Sequence, residues 1–168
     1  MRRLLRRLFH GCIMNIRSGD IIAFRGTGLV SELIQHVEGG TYSHVAVAYL
    51  EPDGTLSVLE AREGVGLRKI AAKGYLEQYK VDRVACAVNW TFQLETFALS
   101  KIGQPYSYIA ALEVGLGLTP PDGALICSLY ARDVLSQAGF SFPRAAMTPQ
   151  ALVDDLLDAG KSVSRLIL

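Results

Sequence analysis

Hydrophobic and polar residues alternate over short runs in the first half of the chain, whereas in the second half apolar residues recur at helical spacing. Runs bounded by glycine and other turn residues predict strands over residues 21–24, 44–50, 55–61, 67–70 and 81–88. The turn signal Glu51-Pro52-Asp53-Gly54 separates the second and third runs. These two strands are therefore predicted to form an antiparallel hairpin.

Apolar spacing near 3.6 residues predicts helices over residues 29–38, 91–102, 106–116, 124–138 and 150–157, a helical turn at 76–79 and a closing strand at 162–168. Thr148 and Pro149 have the residue types that favour an N-cap followed by the first helical position. Gly139 and Gly160 mark helix ends. Strands that precede helices in this way indicate one α+β domain.

Composition excludes several classes of protein. The 168 residues are half hydrophobic and carry a net charge of +1, which is typical neither of a disordered chain nor of an electrostatic nucleic-acid binder. No apolar run reaches the roughly 18 residues of a transmembrane segment. The three cysteines, Cys12, Cys86 and Cys127, are odd in number and widely spaced, which does not suggest a disulfide framework or zinc site. We expect no metal or organic cofactor.

The first residues form a basic, leucine-rich leader, which we delimit as residues 1–16 and predict to be poorly ordered, followed by a single domain over residues 17–168. The leader has the charged start of a signal peptide but no continuous apolar region, so export is not predicted from it. A soluble protein with a cytoplasmic location is the default expectation. A short amphipathic helix at a membrane surface is the alternative interpretation of the leader.

Cys127 is the first candidate for chemistry, because the turn residues before it place it in the first turn of a helix. Unpaired backbone N–H groups and the helix dipole favour an anion there, and the thiolate is the nucleophilic form of cysteine. His44 opens a strand that is apolar on both faces, where a rigid element can hold a base against a cleft. A small buried thiol and a core histidine are the alternative interpretations.

The predicted hairpin supplies a third residue. Its turn places His44 opposite residues near 60 or 61, and cross-strand neighbours share a face. Glu60 could then hydrogen-bond the imidazole and fix its tautomer, as the third group of a catalytic triad does. Glu63, closer to the glycines, is ranked second.

Several motifs, in this order, resemble those of the circularly permuted NlpC-type papain-like cysteine hydrolases. They are Ser18-Gly19-Asp20-Ile21-Ile22, Tyr42-Ser43-His44-Val45-Ala46-Val47, Glu60-Ala61, Gly103-Gln104-Pro105-Tyr106, Cys127-Ser128 and Thr148-Pro149-Gln150-Ala151-Leu152. The resemblance covers roughly residues 17–158, and histidine before cysteine implies the permuted branch. That branch includes bacterial cell-wall amidases and relatives of lecithin:retinol acyltransferase. The implied fold is an antiparallel sheet packed against helices.

The resemblance implies a cysteine nucleophile, a histidine base and a polar third residue, which match Cys127, His44 and Glu60. Acyltransferase relatives usually carry a second histidine at the third position, so Glu60 favours the bacterial hydrolases. The implied activity is hydrolysis of an amide bond, in a peptide or peptidoglycan-like substrate, through a thioester acyl-enzyme. A lipid acyltransferase or lipase, with a lipid substrate, is the second interpretation, and a non-catalytic binding module is the third.

Other residues around this site have weaker roles. The backbone N–H of Cys127 is the expected oxyanion donor. Tyr42 could supply a second donor or line the pocket, and Tyr106 and Tyr108 are further pocket candidates, although buried aromatic residues are more often part of a core. Ser128 is an alternative nucleophile, but a structural place in the first helical turn is favoured.

Overall fold

The computed structural model describes residues 15–26, 40–144 and 147–167. The predicted helix at 29–38, which includes His36, and residues 1–14 of the leader lie outside this part. Ile16 lies within it and is 5% exposed, packed with Ile22 and Phe24. The packed domain therefore includes the last residue of the predicted leader, because an apolar side chain at that position is removed from water.

Six strands form one antiparallel sheet in the order β4-β3-β2-β1-β5-β6. Their bounds are β1 Ile21–Arg25, β2 Tyr42–Leu50, β3 Leu56–Arg62, β4 Gly66–Ala71, β5 Lys80–Ala85 and β6 Ser162–Arg165. The predicted strands are confirmed, with shifted ends. The fifth strand stops before its predicted end at residue 88, because the Cys86 N–H donates to the Asp20 carboxylate at 3.0 Å instead of continuing the ladder.

The described residues form four α-helices and a 3-10 turn at Leu76–Gln78. The helices are α1 Phe92–Ser100, α2 Tyr108–Gly115, α3 Cys127–Gln137 and α4 Pro149–Asp158. Thr148 is the N-cap of α4, as predicted, and its side chain accepts from the Ala151 N–H at 3.1 Å. None of the described helices has the length and apolar character required to cross a membrane.

All four helices contribute to the core on one face of the sheet, with residues such as Leu94, Val114, Leu135 and Leu152. A smaller cluster covers the opposite face and includes Leu76 of the 3-10 turn. The fold is thus the single α+β domain that the sequence pattern predicts, with an antiparallel sheet and helices.

The ladder between the two central strands ends early. The last pair that joins β2 to β3 is Val47 with Leu59, although β2 extends back to Tyr42 and β3 extends on to Arg62. Each strand keeps its other partner in this region, since β2 pairs with β1 and β3 pairs with β4. A break in the sheet therefore lies beside α3, which packs on both strands.

Candidate active site

Cys127 is the first residue of α3, next to the break between β2 and β3. Its N-cap, Ile126, is extended and has no side chain that could accept from the first helical N–H groups. Those groups remain available to an anion, and the backbone N–H groups of Val45 and Ser128 stabilise the Cys127 thiolate. Cys127 is 7% exposed, so its side chain lies at the bottom of the site.

His44 lies on β2 and is held from two sides. Its ring packs against Phe24, with 5.0 Å between ring centroids, and its Nε2 lies 2.7 Å from Glu60 Oε2. A hydrogen bond and a charge interaction join the same ring to Cys127. Because Nε2 is occupied by Glu60, Nδ1 is the nitrogen that remains to exchange a proton with the thiol. The side chain of His44 is 18% exposed.

Glu60 contacts His44 as predicted, but from a different register. The observed pairs place Leu59 opposite Val47, so a continued ladder would place Arg62 across from His44 and Ala46 across from Glu60. Glu60 therefore reaches the imidazole along the diagonal, which a long side chain can span. Glu60 is fully buried, whereas the rival Glu63 is exposed.

The pair has the electrostatics of a thiolate and an imidazolium. Burial raises the pKa of Cys127, but the charge and hydrogen bond of His44 outweigh it and hold that pKa below the ordinary value. Burial likewise lowers the pKa of His44, while the Cys127 thiolate and then Glu60 raise it to about 9. Each group thus favours the charged form of the other near neutral pH.

Tyr42 does not have one of its predicted roles, that of a second oxyanion donor. Its hydroxyl donates to Asp82 Oδ2 at 2.7 Å, and the same oxygen accepts from Arg25 Nε at 2.6 Å. A hydroxyl has a single proton, and here that proton is committed to a buried carboxylate. Tyr42 therefore joins β2 to β5 across β1 and cannot donate to an oxyanion at the same time.

Burial raises the pKa of Tyr106, and the charge of the Cys127 thiolate raises it further. Tyr106 also lines a cavity of about 320 Å³ together with Val65, Pro105, Tyr108 and two glycines. None of these lining residues has a charged side chain. Tyr106 and Tyr108, two of the predicted pocket residues, thus form part of one uncharged pocket, whose lining does not include Cys127.

Backbone hydrogen bonds hold the segment before α2 in place, and we call this segment, residues 103–107, the strap. Leu67 donates to the Gln104 carbonyl at 2.9 Å and accepts from Gly103 at 2.8 Å, while Ser107 donates to Leu125 at 2.8 Å. This strap links β4 to the chain just before Cys127. It fixes the position of Tyr106 relative to the sulfur.

The strap packs so closely on Gly66 that a side chain at this position would collide with it. Its φ is +89°, and an added Cβ would collide with the Gln104 carbonyl oxygen. Gly66→Ala is expected to lower the free energy of unfolding by about 3 kcal/mol, through a strained φ and a displaced strap. Urea unfolding measures this loss. Gly64→Ala is the control: its φ is +72° and its Cβ would meet only the Tyr108 hydroxyl, at 3.9 Å, so it should lose only about 1–2 kcal/mol. Equal losses would contradict the role of the strap.

Ser128, the alternative nucleophile, is fully buried, and its hydroxyl donates to the Met147 carbonyl. This bond joins α3 to the chain before α4. The structure therefore gives Ser128 the structural place that the sequence interpretation favoured.

Two residues at the site were missed from the sequence. Arg68 donates to Glu60 Oε1 from Nη2 at 2.6 Å, and the Tyr75 hydroxyl lies 2.8 Å from the same oxygen. Arg68 is directly opposite Glu60 in the β3–β4 pairing, a position that a second hairpin register could have indicated. Tyr75 lies between strands and had no comparable signal.

Comparison with known proteins gives a structural neighbour and no family. No protein-family model matches the chain, and no curated protein matches it. One solved structure, described as metalloprotein yiiX from Escherichia coli O157:H7, DUF1105, superposes with a TM-score of 0.64. The match covers 88% of this chain and 96% of the other at 16% identity, so it shows a shared fold.

Proposed function

We propose that the protein is a cysteine hydrolase of the permuted papain-like type, acting through Cys127, His44 and Glu60. The observation that carries this proposal is the chain of contacts from a thiol at a helix start, through an imidazole, to a fully buried carboxylate 2.7 Å from Nε2. Such an arrangement is how a thiol nucleophile is activated by a base and the base by a third group.

In the proposed reaction, the Cys127 thiolate attacks the carbonyl carbon of an amide and forms a tetrahedral intermediate. The His44 imidazolium donates its Nδ1 proton to the leaving nitrogen, the C–N bond breaks, and an amine departs from a thioester. His44 then takes a proton from water, whose oxygen attacks the thioester. The C–S bond breaks, the acid leaves, and the thiolate and imidazolium are restored.

Backbone groups are the proposed stabilisers of the oxyanion. The first N–H groups of α3 have no side-chain cap, so the Cys127 N–H can donate to oxygen that develops charge beside the sulfur. Tyr42 is not part of this proposal, because its proton is held by Asp82.

An amide in a peptide of the cell-wall kind is the proposed substrate class, and it rests on the motif resemblance. A lipid acyl group is the second candidate, and one surface feature favours it. Four large apolar residues of or next to α2 are exposed at helical spacing: Tyr108, Ile109, Leu112 and Leu116. Tyr108 also lines the pocket that Tyr106 lines, so this apolar face adjoins that pocket.

The proposed mechanism uses no metal ion. The structural neighbour is described as a metalloprotein. In this chain the described residues contain no group of three or more His, Cys, Asp or Glu that could hold a metal ion. The oxygens of Glu60 already accept from Arg68, Tyr75 and His44, which leaves this carboxylate poorly suited to a metal ligand.

The proposal predicts an acyl-enzyme on Cys127. Brief incubation with p-nitrophenyl acetate should acetylate the protein, and peptide mass spectrometry should locate the acetyl group on Cys127. Cys127→Ala should abolish this addition, whereas Cys86→Ala, which removes the other described thiol, should retain it. Acetylation that persists in Cys127→Ala, for example on Ser128, would contradict the proposed nucleophile.

The length of the acyl chain and the exposed apolar face of α2 distinguish the two substrate candidates experimentally. A panel of amide-linked cell-wall-type peptides and of short-chain and long-chain p-nitrophenyl esters should identify which acyl group reacts fastest. If the substrate is a lipid acyl group, Leu112→Ser should slow the long-chain esters selectively. If the substrate is a peptide, Leu112→Ser should leave peptide cleavage unchanged, because this side chain is 58% exposed and lies outside the pocket lining.

A further inference from the structure

The carboxylate of Glu60 accepts from more groups than a triad requires. Besides His44, the Arg68 guanidinium donates to Oε1 from Nε at 2.9 Å and from Nη2 at 2.6 Å. The Tyr75 hydroxyl lies 2.8 Å from Oε1 and 2.9 Å from Oε2. Glu60 is fully buried, so these donors replace the water that would otherwise solvate it.

We propose that Arg68 and Tyr75 are positioning residues of the candidate site, which hold the Glu60 carboxylate so that its Oε2 accepts from His44 Nε2. This inference rests on the proposed function, since it assigns how the third residue of the triad is oriented. Arg68 takes one oxygen with two N–H groups, which leaves Oε2 for the imidazole. Tyr75 spans both oxygens and restricts rotation of the carboxylate about its last bond.

The positive charge of Arg68 has a second consequence. Burial by itself raises the pKa of Glu60, and donors from His44, Arg68 and Tyr75 outweigh it, to give a pKa of about 2. Arginine stays charged at every pH of interest, whereas His44 does not. Arg68 therefore favours the ionised form of Glu60 at every pH of interest. In that form the carboxylate can accept the hydrogen bond from His44.

Charges thus alternate along the cluster, from guanidinium to carboxylate to imidazolium to thiolate. Three titratable or charged groups contact Glu60 directly: His44 of β2, Arg68 of β4 and Tyr75 next to the 3-10 turn. Three more face it through one neighbour: Arg62 of β3, Tyr79 next to the 3-10 turn and Cys127 of α3. Arg62 bonds the Tyr75 hydroxyl at 2.7 Å, so its contact with Glu60 is indirect.

The test is the pH profile of Cys127 alkylation by iodoacetamide in Arg68→Met. Without the guanidinium, burial should bring the pKa of Glu60 up into the range of the assay, so that His44 loses its ionised acceptor in mild acid. The acid limb of the profile should move up by about one pH unit, which is about tenfold slower alkylation near pH 5. Near pH 8 the rate should change much less.

Arg62→Met is the matched comparison, because its guanidinium donates to Tyr75 and acts on Glu60 only through charge, without a hydrogen bond to the carboxylate. It should move the acid limb clearly less than Arg68→Met does. Arg68→Lys should restore part of the shift, and Tyr75→Phe should give a smaller shift than Arg68→Met. Thermal unfolding of each variant confirms that it is folded at the assay temperature.

A uniform loss of rate at every pH in Arg68→Met would overturn the inference, because it would show a structural role alone. An unchanged profile would overturn it too. Neither result would affect the proposed function, which is tested separately by the reactivity of wild-type Cys127 in mild acid and by the loss of acetylation in Cys127→Ala.

Discussion

Replacing His44 with alanine is expected to slow acylation of Cys127 at about pH 6 by about 10²–10⁴-fold, the range over which a positioned acid–base group contributes. The substitution removes the charge and the hydrogen bond that hold the pKa of Cys127 below its ordinary value, while burial, which raises that pKa, remains. Single-turnover release of p-nitrophenol from p-nitrophenyl acetate measures the rate.

The pH dependence of this loss supplies its own control. Below the pKa of the variant thiol, its thiolate fraction rises about tenfold per pH unit, so the difference in rate from wild type should narrow as the pH rises. A gap of constant size from pH 6 to pH 10 would mean that His44 acts through folding and not through its proton. His44→Gln, which keeps a hydrogen-bonding group next to Glu60, should show the same loss.

Glu60→Gln is expected to lower the free energy of unfolding by about 3 kcal/mol at neutral pH. The pKa of Glu60 falls from 4.5 to about 2 on folding, and each pKa unit corresponds to about 1.36 kcal/mol. Since the folded pKa is the lower one, this contribution is present above about pH 4.5 and is lost as pH falls toward 2. Urea unfolding of both proteins from pH 2 to pH 7 measures it.

The two stability curves should therefore converge in acid. Glu63→Gln, at an exposed position three residues along the chain, is the matched control and should change stability by no more than about 0.5 kcal/mol. A Glu60→Gln difference that stays constant down to pH 2 would show that the carboxylate is not ionised through its buried contacts.

Local signals in the sequence were sufficient for most elements. Turn residues at 51–54 predict the β2–β3 hairpin, and the proline and glycine residues before Cys127 predict that a helix begins there; both are confirmed. Thr148 and Pro149 similarly predict the start of α4. These features depend on the conformational preferences of a few adjacent residues, which a sequence displays directly.

Long-range pairings could not be predicted in the same way. One predicted role of Tyr42 was a second oxyanion donor, yet its hydroxyl donates to Asp82, because β1 lies between β2 and β5 and brings these two residues together. Strand order is a property of the whole chain, and no local pattern around Tyr42 indicates it. Arg68 was missed for a related reason, since its partner is fixed by the register of a second hairpin.

The predicted register of the first hairpin differs from the observed one, yet the predicted contact between Glu60 and His44 is present. The expected pairing placed Glu60 or Ala61 opposite His44, whereas the observed register differs and the ladder ends at Val47 and Leu59. Glu60 still reaches His44, because side chains on one face of a pair can also contact along the diagonal. The early end of the ladder, next to α3, was not predictable from the turn.

Alkylation of wild-type Cys127 by iodoacetamide across about pH 5 to pH 9, followed by peptide mass spectrometry, tests the central claim most directly. N-acetylcysteine, a small thiol without an imidazolium partner, serves as the reference. Cys86, whose pKa burial raises to about 12, serves as an internal control. A thiolate–imidazolium pair predicts a Cys127 rate that stays nearly level down to about pH 6, while the reference rate falls about tenfold per pH unit. A Cys127 rate that falls in parallel with N-acetylcysteine, or a thiol as unreactive as Cys86, would contradict the pair and the hydrolase with it.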